Sequence, residues 1–203
     1  MTACETSSIL DQQATLQAEA NVIVDRLDLD NALRRIGNPV RVGSSAPGVM
    51  VRRDIDITVI CDRLDQATHA AVVQLGGKLA LHPSIGTVCL RNDSGFWNRS
   101  PEEYPDGLYL GLTYRAQNDT DWTFDIWFVD EPERQPDLRH LQTILPNLSA
   151  TARETILRIK TALAAGSVES GKPVSSYLVY NAVLDAGVND LAEFEAWLTE
   201  QQG

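Results

Sequence analysis

The segment 54–61 constrains the fold more than any other part of this chain of 203 residues. It reads Asp-Ile-Asp-Ile-Thr-Val-Ile-Cys, so polar and apolar residues alternate at its start with a period of two. Such a period predicts a strand with one face in the core, because successive side chains point to opposite sides. Ile55 and Ile57 then face the core and fix the register. Asp54 and Asp56 project together from the other face, with Cα atoms about 6.6 Å apart.

The pair of aspartates allows two interpretations. Charged side chains on an exposed strand face are commonly no more than solvated surface. However, aspartate is a poor strand former, and two of them at the start of an Ile/Val strand need a reason. Two carboxylates held this close repel each other unless a cation lies between them. Oxygen ligands favour Mg²⁺, which completes its shell with substrate phosphates, so Asp54 and Asp56 are candidate metal ligands.

A third carboxylate, Asp125, lies in the middle of the apolar run Thr-Phe-Asp-Ile-Trp-Phe at 123–128. A buried and unpaired carboxylate costs several kcal/mol, so this one is expected to be paired, bound to metal or exposed at a cleft. Three carboxylates are enough to hold two divalent ions about 3.5–4 Å apart. The chain therefore carries the ligand types of a two-metal site.

The partner of Asp125 depends on the turn of a predicted hairpin around residues 117–121. A two-residue turn places Asp125 opposite Leu112, whereas a three-residue loop at 118–120 places it opposite Thr113. The second register groups polar residues together and is preferred. It makes Arg115 a candidate partner for a phosphate or a carboxylate.

A glycine-serine turn precedes the aspartate strand, with nine residues between Ser44 and Asp54. Glycine at 43 lets backbone N–H groups approach a phosphate, and the hydroxyl of Ser44 adds a donor. Gly43 and Ser44 are therefore candidate phosphate-binding residues. The turn itself, Gly-Ser-Ser-Ala-Pro-Gly, contains no Lys or Arg. Charge for a triphosphate then has to come from elsewhere, and the candidates are Arg41, Arg52, Arg53, Lys78 and Arg115.

Hydrophobic periodicity divides the chain into two parts. Strands are predicted over 40–42, 54–61, 86–91, 108–116 and 122–129. Helices are predicted over 9–36, 64–75, 136–145, 151–165, 174–186 and 190–201. The expected class is α+β: a mixed β-sheet core with flanking helices over residues 1–132, followed by an all-helical C-terminal region over 133–203. A flexible connection is predicted over 167–173, and a long loop with Phe96 and Trp97 over 92–107.

Local signals set several of these helix ends. Gly76-Gly77 is predicted to end the second helix, and Pro146 the third. Thr151 with Glu154, and Asp190 with Glu193, have the spacing of capping boxes at two later helix starts. The aromatic residues of the last two helices are interpreted as packing residues; they are Tyr177, Tyr180, Phe194 and Trp197.

The formal net charge is −11, which disfavours negatively charged partners. A broad basic surface for gripping nucleic acid is absent from such a composition, and adsorption to anionic membranes is disfavoured. The sequence starts without a signal-peptide pattern and has no apolar run long enough to span a bilayer. Its three cysteines, Cys4, Cys61 and Cys89, are odd in number and far apart, which favours a reducing cytoplasm.

Gly43, Ser44, Asp54, Asp56 and Asp125 together resemble the nucleotidyltransferase superfamily typified by DNA polymerase beta. The pattern of that superfamily is a hydrophobic residue with Gly-Ser, a spacer of about 9–13 residues, Asp-h-Asp-h, and a third Asp on a later strand. The resemblance covers roughly residues 20–130 and favours a small stand-alone member of bacterial type. The helical tail is similar to the accessory helical region of such members.

The resemblance implies a transfer of a nucleoside monophosphate from a nucleoside triphosphate, with ATP the expected one, to an acceptor hydroxyl, releasing pyrophosphate. Asp54 and Asp56 would hold two Mg²⁺ ions, and Asp125 would bind the ion beside the acceptor and take its proton. Gly43 and Ser44 would hold the β- and γ-phosphates, with Arg53 and Arg115 adding charge.

The acceptor stays open at this stage. The acidic composition disfavours a nucleic acid and favours a small molecule, notably a cationic one, or a protein. The loop 92–107 either borders the acceptor cleft or is a packed loop with buried aromatic rings. Two further hypotheses are a silent member of the fold that binds a nucleotide or a protein, and an unrelated α+β binding domain.

Overall fold

The computed structural model describes residues 8–166 and 174–201; Cys4 and the predicted connection at 167–173 lie outside them. Two helices stand where one was predicted over 9–36: α1, Ile9–Arg26, and α2, Leu29–Arg34. The prediction of one helix is wrong because Asp28 adopts a left-handed conformation, with φ 48°, that an α-helix cannot contain.

Five strands form one sheet. Their bounds are β1 Asn38–Arg41, β2 Asp54–Ile60, β3 Ile85–Asp93, β4 Gly107–Arg115 and β5 Asp121–Val129. The spatial order is β1-β2-β5-β4-β3. β2 and β5 pair in parallel, whereas the other three neighbouring pairs are antiparallel. The predicted α+β class with a mixed sheet is confirmed.

β4 and β5 form the predicted hairpin, but in neither of the two registers considered from the sequence. Gly111 lies opposite Asp125, because the strands are joined by a three-residue loop over 117–119. Asp119 closes this loop in a left-handed conformation with φ 60°. The preferred register, with Thr113 opposite Asp125, is wrong by two residues. Since side chains alternate, a shift of two leaves Asp125 on the predicted face of the sheet.

The third helix, α3, covers Gln66–Ala80 and runs straight through the two glycines that were predicted to end it. Gly76 is buried, and a Cβ there would lie 3.3 Å from a methyl group of Leu90 in β3. The prediction failed because the glycine serves close packing of the helix on the sheet, which overrides its local preference for a helix end.

The remaining helices are α4 Pro136–Asn147, α5 Ala150–Ala164, α6 Ser176–Leu184 and α7 Leu191–Glu200. Pro146 lies within the last turn of α4, which continues to Asn147, so the prediction that this proline ends the helix at residue 145 is wrong by two residues. Ser149, and not Thr151, caps α5, with its hydroxyl accepting from the backbone N–H of Ala152 at 3.1 Å. The predicted cap of α7 at Asp190 is confirmed.

Buried apolar residues form two clusters. The first joins α1, α2 and α3 to the inner face of the sheet and includes Ile55, Ile57 and Phe124. The second joins the C-terminal helices and also takes in Val49, from the segment between β1 and β2. The division of the chain after residue 132 stays a prediction. No helix within residues 8–166 and 174–201 has the length and apolar character needed to cross a bilayer.

Candidate active site

Three carboxylates share the outer face of the sheet. β2 and β5 are parallel neighbours, and their register places Asp56 directly beside Asp125. Partners in a parallel ladder point to the same side, at a strand spacing of about 4.8 Å. Asp54 lies two residues before Asp56 on β2 and therefore joins them. The fold thus brings together the three aspartates that the sequence singled out.

The electrostatics of this cluster favour a cation. The pKa of Asp56 is raised to about 7, first by burial and then by the negative charges of Asp54 and Asp125. Oδ1 of Asp54 is buried and has no hydrogen-bond partner. A buried acceptor without a partner and a carboxylate with a raised pKa both lose their energetic penalty when a cation binds.

The side chains do not form a finished metal site as they stand. Within the described residues, no group of three His, Cys, Asp or Glu side chains is placed to hold one metal ion. Asp125 instead accepts a hydrogen bond on Oδ1 from the hydroxyl of Tyr109. Hard carboxylate oxygens suit Mg²⁺ chemically, and Asp125 carries a second oxygen besides the one bonded to Tyr109, so the donor set fits such an ion.

The glycine-serine turn packs directly on the aspartate strand. The backbone N–H of Val42 donates to the backbone oxygen of Asp56 at 2.9 Å. Gly43 has φ +59°, and a Cβ at this position would overlap the carboxylate of Asp56. Ser44 is only 8% exposed. Glycine is required at 43 both by its backbone conformation and by the close approach of the carboxylate.

Replacing Gly43 with alanine is expected to lower the melting temperature. The left-handed conformation alone costs about 1–2 kcal/mol for a residue with a Cβ, and the carboxylate of Asp56 must also move. Gly77→Ala is the matched control, because Gly77 lies inside α3 with no atom within 4 Å of the added Cβ. That control is expected to raise stability by about 0.4–1 kcal/mol. Equal melting temperatures for the two variants would contradict the role assigned to Gly43.

The two arginines predicted to help bind phosphate have other partners. Arg53 lies 4.0 Å from Glu19 of α1. Arg115 forms a hydrogen-bonded pair with Asp121, with Nε 2.8 Å from its carboxylate, at the loop end of the hairpin. The structure therefore does not bring Arg115 to the aspartates, since it lies four residues along β4 from Gly111, the neighbour of Asp125. Their proposed contacts with phosphate stay predictions.

Arg52 lies at a small cavity of about 60 Å³ between the sheet and the helical region. The polar side chains that line this cavity are Ser44, Arg52, Asp54, Lys160 and Ser176. It is the place where the turn, the aspartate strand and the helices meet. The sequence had Arg52 among several basic candidates, and the structure gives it a position beside Ser44 and Asp54.

Lys160, on α5, is a candidate site residue that the sequence did not reveal. It is 6% exposed, and Nζ donates to the backbone oxygen of Val49 at 2.8 Å and to the hydroxyl of Tyr180 at 3.2 Å. Burial lowers its pKa to about 8, against the opposing effect of Asp54 and Asp56. A single lysine in a helix carries no spacing signal, so only the packing of α5 on the sheet identifies it.

A larger cavity of about 790 Å³ is lined by Trp127, which follows Asp125 by two residues on β5, and by Arg91, whose guanidinium contacts the ring of Tyr109. It is lined in part by the loop 92–107, and the alternative that this loop borders an acceptor cleft stays a prediction. The other alternative, a packed loop with buried rings, is wrong, because Phe96 is 93% and Trp97 59% exposed. The charged lining residues are Arg91, Asp93, Arg99 and Asp137, with His140 beside them.

Known structures share this architecture. The Cid1 poly(U) polymerase, as a mutant bound to MgATP, matches with a TM-score of 0.60 at 20% identity over 84% of this chain and 50% of its own. Cid1 with its short product ApU matches with a TM-score of 0.57 at 18% identity over 84% and 48%. CdnC from E. coli with ATP matches with a TM-score of 0.50 at 16% identity over 91% and 66%.

These similarities are confined to structure. No protein-family model matches the sequence, and no curated protein matches it significantly. The chain spans about half the length of the Cid1 structures and two thirds of CdnC. At such low identity the similarity defines the fold and leaves the activity to be argued from the site. This chain has the nucleotidyltransferase fold of Cid1 and CdnC, built around a mixed sheet that places three aspartates on one face.

Proposed function

We propose that the protein is a metal-dependent nucleotidyltransferase that moves a nucleoside monophosphate from a nucleoside triphosphate to an acceptor hydroxyl and releases pyrophosphate. The observation that carries the proposal is the cluster of Asp54, Asp56 and Asp125 on one sheet face, with an unpartnered buried oxygen on Asp54. Cid1 and CdnC, which share the fold, have been solved with nucleoside triphosphates, and this supports the same class of donor here.

Asp54 and Asp56 would hold the Mg²⁺ ions together with Asp125, which would also serve the acceptor. Ions held there would supply the neutralisation of phosphate charge that displacement at the α-phosphorus requires. The chain's own residues bind and orient the triphosphate. Gly43, which has no side chain, would let backbone N–H groups approach the phosphates, and Ser44 would add a hydroxyl donor.

Positive charge for the triphosphate would come from two side chains at the small cavity. Arg52 reaches it from the start of the aspartate strand, and Lys160 from the helical region. Charge-assisted hydrogen bonds to phosphate are about twice as strong as neutral ones, so two such donors compensate for a turn without Lys or Arg. The helical region is therefore part of the proposed nucleotide site.

The acceptor is proposed to enter through the large cavity lined by Trp127 and Arg91, which has the volume of a small-molecule site. Of the three aspartates, Asp125 lies two residues before the lining residue Trp127 on β5, and it would take the proton of the acceptor hydroxyl. A small molecule or a protein segment fits this proposal, and ATP is the proposed donor. The preference for a cationic acceptor rests on net charge alone, because the cavity lining carries both signs.

The test begins with binding. Mg²⁺ together with one nucleoside triphosphate is expected to raise the melting temperature, because ligands of the folded state stabilise it. An acceptor screen that measures pyrophosphate release then follows, with Asp54→Asn as the control. Release that persists in Asp54→Asn would exclude the proposed mechanism. Absence of any shift with all four triphosphates would contradict the proposed function, and binding without release would support a silent member of the fold.

A further inference from the structure

One hydroxyl already sits at the carboxylate that is proposed to receive the acceptor's proton. Tyr109 on β4 donates its phenolic hydrogen to Oδ1 of Asp125. Among the hydrogen bonds of residues 8–166 and 174–201, no other side-chain hydroxyl donates to Asp54, Asp56 or Asp125. The hydroxyl of the tyrosine thus already makes the contact with Asp125 that an acceptor hydroxyl would make.

The sheet is shaped to let this side chain reach. Gly111 lies between Tyr109 and the loop on the same strand, and it is the direct cross-strand neighbour of Asp125. A Cβ at Gly111 would lie 2.5 Å from the hydroxyl oxygen of Tyr109 and 2.9 Å from its ring. Because Gly111 has no side chain, the ring of Tyr109 can lie across this position and its hydroxyl can reach Asp125 on the neighbouring strand.

Two neighbours hold the ring in this position. The guanidinium of Arg91 lies 4.7 Å from the centre of the Tyr109 ring, and the ring of Trp127 lies 5.2 Å from the Tyr109 ring and 5.3 Å from the same guanidinium. Arg91 is itself fixed by two hydrogen bonds of 2.8 and 2.9 Å to Asp93. Cation–π and aromatic contacts of this kind orient a ring with little freedom left.

We infer that Tyr109 is a self-acceptor, so that the protein attaches one nucleoside monophosphate to its own Tyr109 hydroxyl. The inference rests on the proposed function, since the donor is the same nucleoside triphosphate. In this reaction the acceptor hydroxyl belongs to the same chain as the aspartates, and Tyr109 is the site of modification.

The step balances with the groups already named. The Tyr109 oxygen attacks the α-phosphorus and forms a new P–O bond, while the bond between that phosphorus and the α–β bridging oxygen breaks. The phenolic proton passes to Oδ1 of Asp125, and pyrophosphate carries away the electron pair of the broken bond. No oxidant or further reactant is needed. The product is a tyrosyl phosphodiester.

Such a reaction limits itself to one event per chain. After transfer, the phenolic oxygen has no hydrogen to donate to Asp125. The attached nucleotide also remains tethered beside the aspartates, where it hinders binding of a second triphosphate. We expect the modification to approach one nucleoside monophosphate per chain and then stop, without any added acceptor.

The experiment uses the full chain, Mg²⁺ and the triphosphate that gives the largest thermal shift. Intact mass is expected to increase by one nucleoside monophosphate, and peptide mapping is expected to place it on Tyr109. Tyr109→Phe should lose the modification while keeping the thermal shift, because the ring and its packing remain. Tyr114→Phe is the matched control: the same atom is removed from the same strand, but on the buried face, so the modification should persist.

The possible outcomes distinguish failure of the self-acceptor role from failure of the proposed function. A thermal shift with an unmodified wild-type chain, or a modification mapped to another residue, overturns the self-acceptor role and leaves the proposed function standing. The absence of any thermal shift overturns the proposed function itself. Mapping on the wild-type chain decides the site even if a variant folds poorly.

Discussion

Replacing Asp56 with asparagine is expected to abolish nucleotidyl transfer and to raise the melting temperature of the metal-free protein at pH 8. Removal of a residue that hydrogen-bonds to a metal ligand lowers activity by up to about 100-fold. Asp56→Asn should lower it by more, because the ligand itself is lost. Stability should rise because the buried carboxylate, with its pKa raised to about 7, is ionised at pH 8 beside Asp54 and Asp125.

The sign of the pH effect follows from linkage. An acid whose pKa is raised by folding favours the folded state below its ordinary value of 3.8, and this contribution is lost as the pH rises through about 7. Each unit of pKa is worth about 1.4 kcal/mol, so the ionised group costs on the order of a few kcal/mol at pH 8. The melting temperature of Asp56→Asn should therefore depend less on pH than that of the wild type.

The control for this substitution is Asp62→Asn, since Asp62 is exposed just beyond the end of β2. It makes the same chemical change outside the cluster and should leave both rate and melting temperature unchanged. Pyrophosphate release and thermal unfolding between pH 5 and 8 are the measurements. A melting temperature for Asp56→Asn below that of the wild type at pH 8 would show that repulsion among the three carboxylates does not destabilise the fold.

Replacing Lys160 with methionine is expected to weaken binding of the triphosphate by about 10- to 100-fold, the range of one charge-assisted hydrogen bond of about 1.5–3 kcal/mol. Its ammonium group lies at the small cavity with Ser44, Arg52 and Asp54. Affinity would be measured by titrating the Mg²⁺-bound nucleotide. Lys78→Met, on the exposed side of α3, is the control and should bind as the wild type does.

A pH profile separates a charge role of Lys160 from a packing role. Burial lowers its pKa to about 8, so the free protein loses this positive charge above pH 8. Affinity of the wild type should then fall as the pH rises past 8, whereas Lys160→Met should show no such fall. An equal fall in both proteins would indicate that Lys160 only supports the packing of Tyr180 and the backbone at Val49.

Much of the fold follows from local signals. The alternation of polar and apolar residues over 54–61 predicts β2, because a period of two is typical of a strand. The cap at Asp190 predicts the start of α7. Local signals failed where tertiary packing competed with them. Gly76 continues a helix because α3 needs a close approach to the sheet, and Asp28 interrupts one in a left-handed conformation.

The sequence by itself determined that Asp54 and Asp56 share a strand face opposite Ile55 and Ile57, since this depends only on neighbours two residues apart. It also identified Asp125 as a carboxylate that needs a partner. Only the tertiary structure decided that β2 and β5 lie side by side and that Gly111 faces Asp125.

Tertiary structure also brought Lys160 from the helical region and Tyr109 from the neighbouring strand to the aspartates. The physical reason is that both contacts join segments far apart in the chain. The free energy of such contacts depends on how whole helices and strands pack, and a local pattern of residues does not predict it.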